Sequence, residues 1–164
     1  KLLNLEYPGG PKVSKLAEGG DSQRFSFPRA LMKDKNLSFS FSGLKTSVLY
    51  ALNDLEEKDY PDVAASFQEA VIDVLTKKLA FAVEQTGIKK LVCSGGVAAN
   101  KLLRERLTEM ANQSGLEVSY PSMEFCTDNA AMIAYAGFIR KKYNLKKYST
   151  AYARPRWPLG ELYD

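Results

Sequence analysis

The chain has 164 residues, 45% hydrophobic and 26% charged, an ordinary balance for one soluble domain with a real core. It contains no histidine, which excludes a Ser-His-Asp triad, a Cys-His pair and any His-based zinc site formed within this chain alone. No apolar run approaches the roughly 20 residues of a membrane span, and the opening Lys1-Leu2-Leu3-Asn4-Leu5-Glu6 carries no signal-peptide pattern, so no membrane association is expected. The chain does not open with Met, and a piece of a longer protein is therefore expected. Two cysteines, Cys93 and Cys126, make no disulfide framework and fit a reducing cytoplasm.

In chain order, Pro8-Gly9-Gly10-Pro11 reads as a turn, followed by a short helix from Lys12 to Glu18 that stops at Gly19-Gly20. Phe25-Ser26-Phe27-Pro28 is irregular or extended. Leu37 to Gly43 alternates with period two, like a half-buried strand, and runs into a helix from Leu44 to Leu55. The serines of that run and Lys45 either line a polar cleft or are surface groups of a packed strand. Asp59-Tyr60-Pro61 starts the longest helix, which ends near Gln85 at Gly87. Its apolar stripe is Val63, Phe67, Val71, Val74, Leu75, Leu79 and Ala82. A strand at 91–94, a helix at 99–112, a strand from Leu116 to Tyr120 and a loop from Pro121 to Thr127 follow. A helix rich in small residues runs from Asp128 to about Tyr143. Long helices alternating with short strands predict an α/β fold, with too few strands for a complete doubly wound sheet.

The most informative segment is Leu91 to Leu107. An apolar run, Leu91-Val92-Cys93, reads as a short buried strand that breaks at Ser94-Gly95-Gly96, and Asn100 opens a helix with Leu102, Leu103, Leu107 and Met110 on its apolar side. A strand that turns through two glycines onto a helix presents bare backbone N–H groups, which suits a phosphate or a nucleotide. The same pattern also serves wherever a tight turn needs positive φ. It is neither a Walker A loop nor the three-glycine dinucleotide fingerprint. In Cys126-Thr127-Asp128-Asn129, Thr127 or Asp128 is placed to cap the next helix; Asp128 is either simply that cap, or a metal ligand or phosphate-water organiser with Asn129 as a hydrogen-bond donor. The net charge of +4 is uneven: Arg140 to Arg156 holds seven basic residues and no acidic one, interleaved with Tyr143, Tyr148 and Tyr152 and followed by Trp157. That makeup suits a nucleic-acid surface; charge alone is also that of a solvated helix end and tail.

Six motifs occur in one order: YPGGP (Tyr7 to Pro11), RFSFPR (Arg24 to Arg29), FSFSGLKT (Phe39 to Thr46), SGGVAAN (Ser94 to Asn100), FCTDNAAMIAYAG (Phe125 to Gly137) and RPRWPL (Arg154 to Leu159). Together they resemble the C-terminal part of the TsaD family, the bacterial tRNA adenosine threonylcarbamoyltransferases, once labelled O-sialoglycoprotein endopeptidases.

The resemblance implies half of a two-lobed fold of the actin, hexokinase and Hsp70 ATPase type. Residues 1–60 would be a helical and irregular insertion and 61–164 the α/β part, with the N-terminal lobe absent. It implies transfer of threonylcarbamoyl from threonylcarbamoyl-adenylate to the adenosine beside the tRNA anticodon, in the cytoplasm, with protein partners of the TsaB and TsaE kind. It places adenylate contacts at Gly10 and Asn100, beside Gly95 and Gly96. It implies one divalent metal, iron or zinc, held by two histidines of the other half and by Asp128. On that reading no side-chain nucleophile is needed, and this stretch alone is inert. The rivals are a metalloendopeptidase, which would need a His-Glu-x-x-His helix that the chain lacks, and a non-catalytic nucleotide-fold scaffold.

Overall fold

One long helix organises the chain. The computed structural model describes residues 1–33, 35–145, 155, 156 and 158. Its elements are α1 (Gly9–Ala17), α2 (Leu44–Ala51), α3 (Tyr60–Thr86), β1 (Lys90–Val92), α4 (Lys101–Ser114), β2 (Glu117–Ser119) and α5 (Ala130–Lys142). Short 3-10 turns lie at Leu52–Asp54, Glu57–Asp59, Gly96–Ala99 and Met123–Phe125. Residues 1–127 form one compact unit, and a second begins at Asp128.

Pro61 sits in the first turn of α3, where a missing N–H costs nothing, and Gly87 ends the helix at φ 67°, in the left-handed region. The expected single stripe understates how α3 is buried. Val63 and Ala70 pack with Phe27, Leu44 and Val48. Ala64 and Ala65 pack with Ala17, and Ile72 packs with Leu103 and Leu107. A helix apolar on several sides is enclosed on several sides. Small residues at 64 and 65 let α1 approach closely, which a stripe of large side chains does not reveal.

Residues 21–29 are strapped to α3 by polar groups. Asp62 accepts the Asp21 N–H at 2.7 Å and pairs with Arg24 at 2.6 Å, and Arg24 also reaches Asp59 at 2.7 Å. The Ser66 hydroxyl donates to the Asp21 carbonyl and accepts from the Phe25 N–H, each at 3.2 Å. Arg29 pairs with Asp73 at 2.6 Å. Both arginines of RFSFPR therefore face carboxylates of α3. Further along, Lys78, only 1% exposed, donates to the Asn36 carbonyl at 2.8 Å.

The expected strand at Leu37 to Gly43 does not form. The Ser38 N–H bonds Asn36 Oδ1 at 3.0 Å and the Ser42 N–H bonds Ser40 Oγ at 3.3 Å, local bonds that compete with a strand ladder. Among the described residues no strand lies beside this run, and Phe39 and Phe41 stay exposed. Alternation without a neighbouring strand does not hold a strand together. Gly43, at φ 80°, turns the chain into α2. Two helix boundaries also differ: α1 starts at Gly9, absorbing the expected turn, and α2 passes into a 3-10 turn after Ala51.

β1 and β2 pair in parallel, Lys90 with Glu117, Leu91 with Val118 and Val92 with Ser119, and α4 is the crossover that parallel strands require. The 91–93 run is not the buried strand expected: Val92 is 80% exposed, while Leu91 and Cys93 are half-buried. With two strands and α4 on one side, nothing described in residues 1–127 covers the face that Val92 presents.

The second unit starts with Asp128 and α5. Asn129, rather than Thr127 or Asp128, caps this helix, accepting the Met132 N–H at 2.9 Å. Asn is as good a cap as Asp, and its position places Asp128 one residue outside the helix. Among the described residues α5 buries no side chain, and Met132, Ile133, Tyr135 and Phe138 are exposed. Arg140, Lys141 and Lys142 occupy its last turn, where the negative end of the helix dipole favours cations.

Candidate functional site

The glycine turn sits where β1 ends. Gly95 adopts φ 87° and ψ 173°, a conformation open to glycine and strained for other residues. Gly96 has no such requirement, and a Cβ placed there would meet nothing within 4 Å. The turn closes with the Ala98 N–H on the Gly95 carbonyl at 2.9 Å and the Asn100 N–H on the Val97 carbonyl at 3.0 Å. Gly95, Gly96 and Val97 are exposed, and among the described residues the N–H groups of Gly96 and Val97 have no hydrogen-bond acceptor. They are free to meet an anion. They belong to the 3-10 turn, not to α4 itself, contrary to the direct strand-to-helix passage the sequence suggests.

Asn100 is the cap of α4: its Oδ1 accepts the Leu103 N–H at 3.0 Å. Its Nδ2 donates to Gln68 Oε1 of α3 at 2.7 Å. One amide hydrogen remains for a ligand, held in direction by the other two bonds. Gln68 was not singled out by any sequence pattern, because it lies outside the apolar stripe and in another element. The neighbouring Glu69, largely buried, pairs with Arg106 at 2.6 Å and fixes α4 against α3 a little further along.

Arg104 forms a second set of bonds. From α4 it reaches back to the Ala98 carbonyl (Nε, 2.6 Å) and to the Pro121 carbonyl (Nη2, 3.0 Å), and its Nη2 lies 3.3 Å from Cys126 Sγ. Its guanidinium stacks 4.8 Å from the centre of the Tyr120 ring. Cys126, which the sequence places in a loop, is 2% exposed. Burial pushes the Cys93 thiol above its ordinary range, Arg104 partly offsetting this and Cys126 adding to it. A thiol raised in this way is not an activated nucleophile, so Cys93 has no catalytic signature.

Gly10 does not join this turn by any bond. It lies in the first turn of α1, exposed, with nothing within 4 Å of a Cβ. The link from α1 toward α4 runs through Glu18, 3.7 Å from Lys101, about 12 Å along the helix from Gly10 at 1.5 Å per residue. Beside Gly10, Gly9 lines a cavity of about 220 Å³ with Leu2, Val13, Lys45, Val48 and Phe67. Its walls are mostly apolar, so Lys45 borders an apolar hollow rather than a serine-lined polar cleft.

In the second unit, Asp128 is exposed and directly precedes the Asn129 cap. Among the described residues no three His, Cys, Asp or Glu side chains converge, and the chain has no histidine. The described residues therefore do not fit a complete metal centre; Asp128 is a single available oxygen donor. Of the basic segment, Lys142 lies 5.4 Å from the centre of the Tyr143 ring and Arg156 is exposed. Lys146, Lys147, Tyr148, Tyr152, Arg154 and Trp157 lie outside the described residues. No helix among the described residues is long and apolar enough to cross a membrane.

The family model for TsaD, tRNA N6-adenosine threonylcarbamoyltransferase, matches residues 1–135 of the 164. The match takes in the YPGGP, RFSFPR, FSFSGLKT and SGGVAAN motifs and the CTDN stretch, and stops before RPRWPL. With more than four-fifths of its length matched, the chain belongs to the TsaD family of tRNA-modifying transferases.

Proposed function

We propose that this chain supplies the adenylate-holding part of a threonylcarbamoyltransferase acting on the adenosine beside the tRNA anticodon, within a cleft of the actin, hexokinase and Hsp70 ATPase type. The observation that carries the reading is the exposed pair of unbonded N–H groups at Gly96 and Val97, next to an Asn100 amide held in direction by α3 and α4. Backbone N–H groups bind phosphoryl oxygens without needing a charged side chain. Held this way, the adenylate presents its carbamoyl carbon to an amine, and orientation alone lowers the barrier by removing the entropy of encounter. The adenosine amine is a weak nucleophile; adenylate is a good leaving group, so the chain needs no covalent intermediate of its own. Gly10 is a second adenylate contact on this reading, reached from α1.

Asp128 is the donor that this reading assigns, among the described residues, to a divalent metal, iron or zinc, and the other donors would have to come from outside them. Arg140, Lys141 and Lys142, with the basic residues that follow, are the surface proposed to dock tRNA; phosphate contacts there position the RNA without selecting the base. TsaB-like and TsaE-like proteins and a cytoplasmic setting belong to the same reading.

The test is transfer of labelled threonylcarbamoyl from the adenylate to tRNA by the full-length protein, run beside a glycoprotein digestion. Label in tRNA with intact glycoprotein is the expected result. Cleaved glycoprotein and unlabelled tRNA would revive the endopeptidase reading.

A further inference from the structure

Gly95–Ala99 is backbone, so something must fix where its N–H groups point. The strand end is held by the Cys93 N–H on the Ser119 carbonyl at 3.0 Å, and the far end by the Asn100 cap. Between these, the described side chain that grips the turn is Arg104, through the Ala98 carbonyl. The same guanidinium holds the Pro121 carbonyl and lies against Cys126 Sγ, in the loop that follows β2. The two loops leave the carboxyl ends of two parallel strands, the edge at which open α/β sheets bind ligands. Among the described residues no carboxylate lies within ion-pair distance of Arg104. Its fork is used on carbonyl oxygens and a sulfur, with the Tyr120 ring behind it. Planar, fixed N–H directions make such a fork a better clamp than an ammonium.

We propose that Arg104 is a positioning residue for nucleotide binding, clamping the 95–99 turn to the 121–126 loop so that the Gly96 and Val97 N–H groups face the ligand before it arrives. The inference rests on the nucleotide reading above. It assigns Arg104 no contact with the reacting atoms. Preorganisation of this kind raises affinity by removing an ordering cost.

The experiment measures ATP binding to the full-length protein by calorimetry, with Arg104→Met and Arg104→Lys and a thermal unfolding midpoint for each. Methionine keeps an apolar stem against Tyr120 and removes the donors. Lysine keeps the charge and loses the fork. Both variants are expected to weaken ATP about tenfold, the loss of one charge-assisted hydrogen bond. In turnover the KM for the adenylate should rise with kcat little changed, a split that general loss of folded protein would not produce. Wild-type affinity in Arg104→Lys would show that charge alone matters and would overturn the clamp, as would wild-type affinity in both. If neither variant folds, hydrogen exchange of the wild type decides: ATP should slow exchange in 95–99 and 121–126 together, and protection confined to 95–99 overturns the proposal. A wild type that does not bind ATP removes the nucleotide reading itself, and this inference with it.

Discussion

Gly96→Ala separates what the turn needs for folding from what it needs for a ligand. The substitution adds one methyl at the first residue of the 3-10 turn. Its φ is ordinary and nothing lies within 4 Å of the new Cβ, so the fold has no steric reason to object. In a helical position, exchanging Gly for Ala is worth about 0.5–1 kcal/mol in favour of the variant. A phosphoryl oxygen bonded to the Gly96 N–H would sit about 2.9 Å from that nitrogen, directly against the methyl. Forcing a methyl into a fitted contact costs about 1–3 kcal/mol, which is about 5- to 150-fold in Kd. Gly95→Ala is the control: at φ 87° and ψ 173° any side chain is strained, by about 1–3 kcal/mol, so this variant should melt lower as well. The assay is ATP titration by calorimetry paired with thermal unfolding by circular dichroism. Gly96→Ala should melt no lower than the wild type and bind ATP clearly more weakly. Unchanged affinity at an unchanged midpoint would mean that nothing approaches this glycine, and the N–H cradle would be wrong.

Gly20→Ala should be the opposite case, structural and severe. A Cβ at Gly20 would press on the Pro61 carbonyl and lie 2.7 Å from Asp62 N, pushing residues 20–25 off α3 and breaking their bonds to Asp62 and Ser66. At about 1 kcal/mol per hydrogen bond, with overpacking added, the loss is about 3–5 kcal/mol, read as a lower urea midpoint; a midpoint within error of the wild type would refute it. The same clasp makes stability depend on acid. The Asp59 carboxyl is held below its ordinary range by the Glu56 N–H and Arg24, and the Asp62 carboxyl by Arg24 and the Asp21 N–H. Carboxylates that are harder to protonate when folded stabilise fully above an unfolded pKa of about 4 and lose that contribution as pH falls through the folded values. Urea midpoints should therefore drop between pH 5 and pH 3, and the drop should be smaller in Asp62→Asn; an equal drop in that variant would exclude the clasp as its source.

Much of the architecture was legible along the chain because its signals are local. Pro61 and Gly87 bound α3 through their own backbone preferences, and Asn100 opens α4 likewise, although α4 runs past the expected end at 112 to a cap at Gly115. The glycine turn and its motif are contiguous, so the family could be recognised from order alone. What failed was read from period without a partner. The 37–43 alternation has no neighbouring strand, and a strand is made by pairing rather than by pattern. Choosing Asn129 over Asp128 as the cap of α5 depends on which residue takes extended backbone, a choice among equally suited side chains. The supports of the turn lie further apart still. Gln68 stands 32 residues from Asn100, and Arg104 meets Pro121 and Cys126 across 17 and 22 residues. Short-range preference determined the helices, the turn and its bare N–H groups. Only tertiary packing brings distant polar groups within bonding distance: α3 against α4 decided how Asn100 is oriented, and α4 against the loop after β2 decided that Arg104 holds the turn.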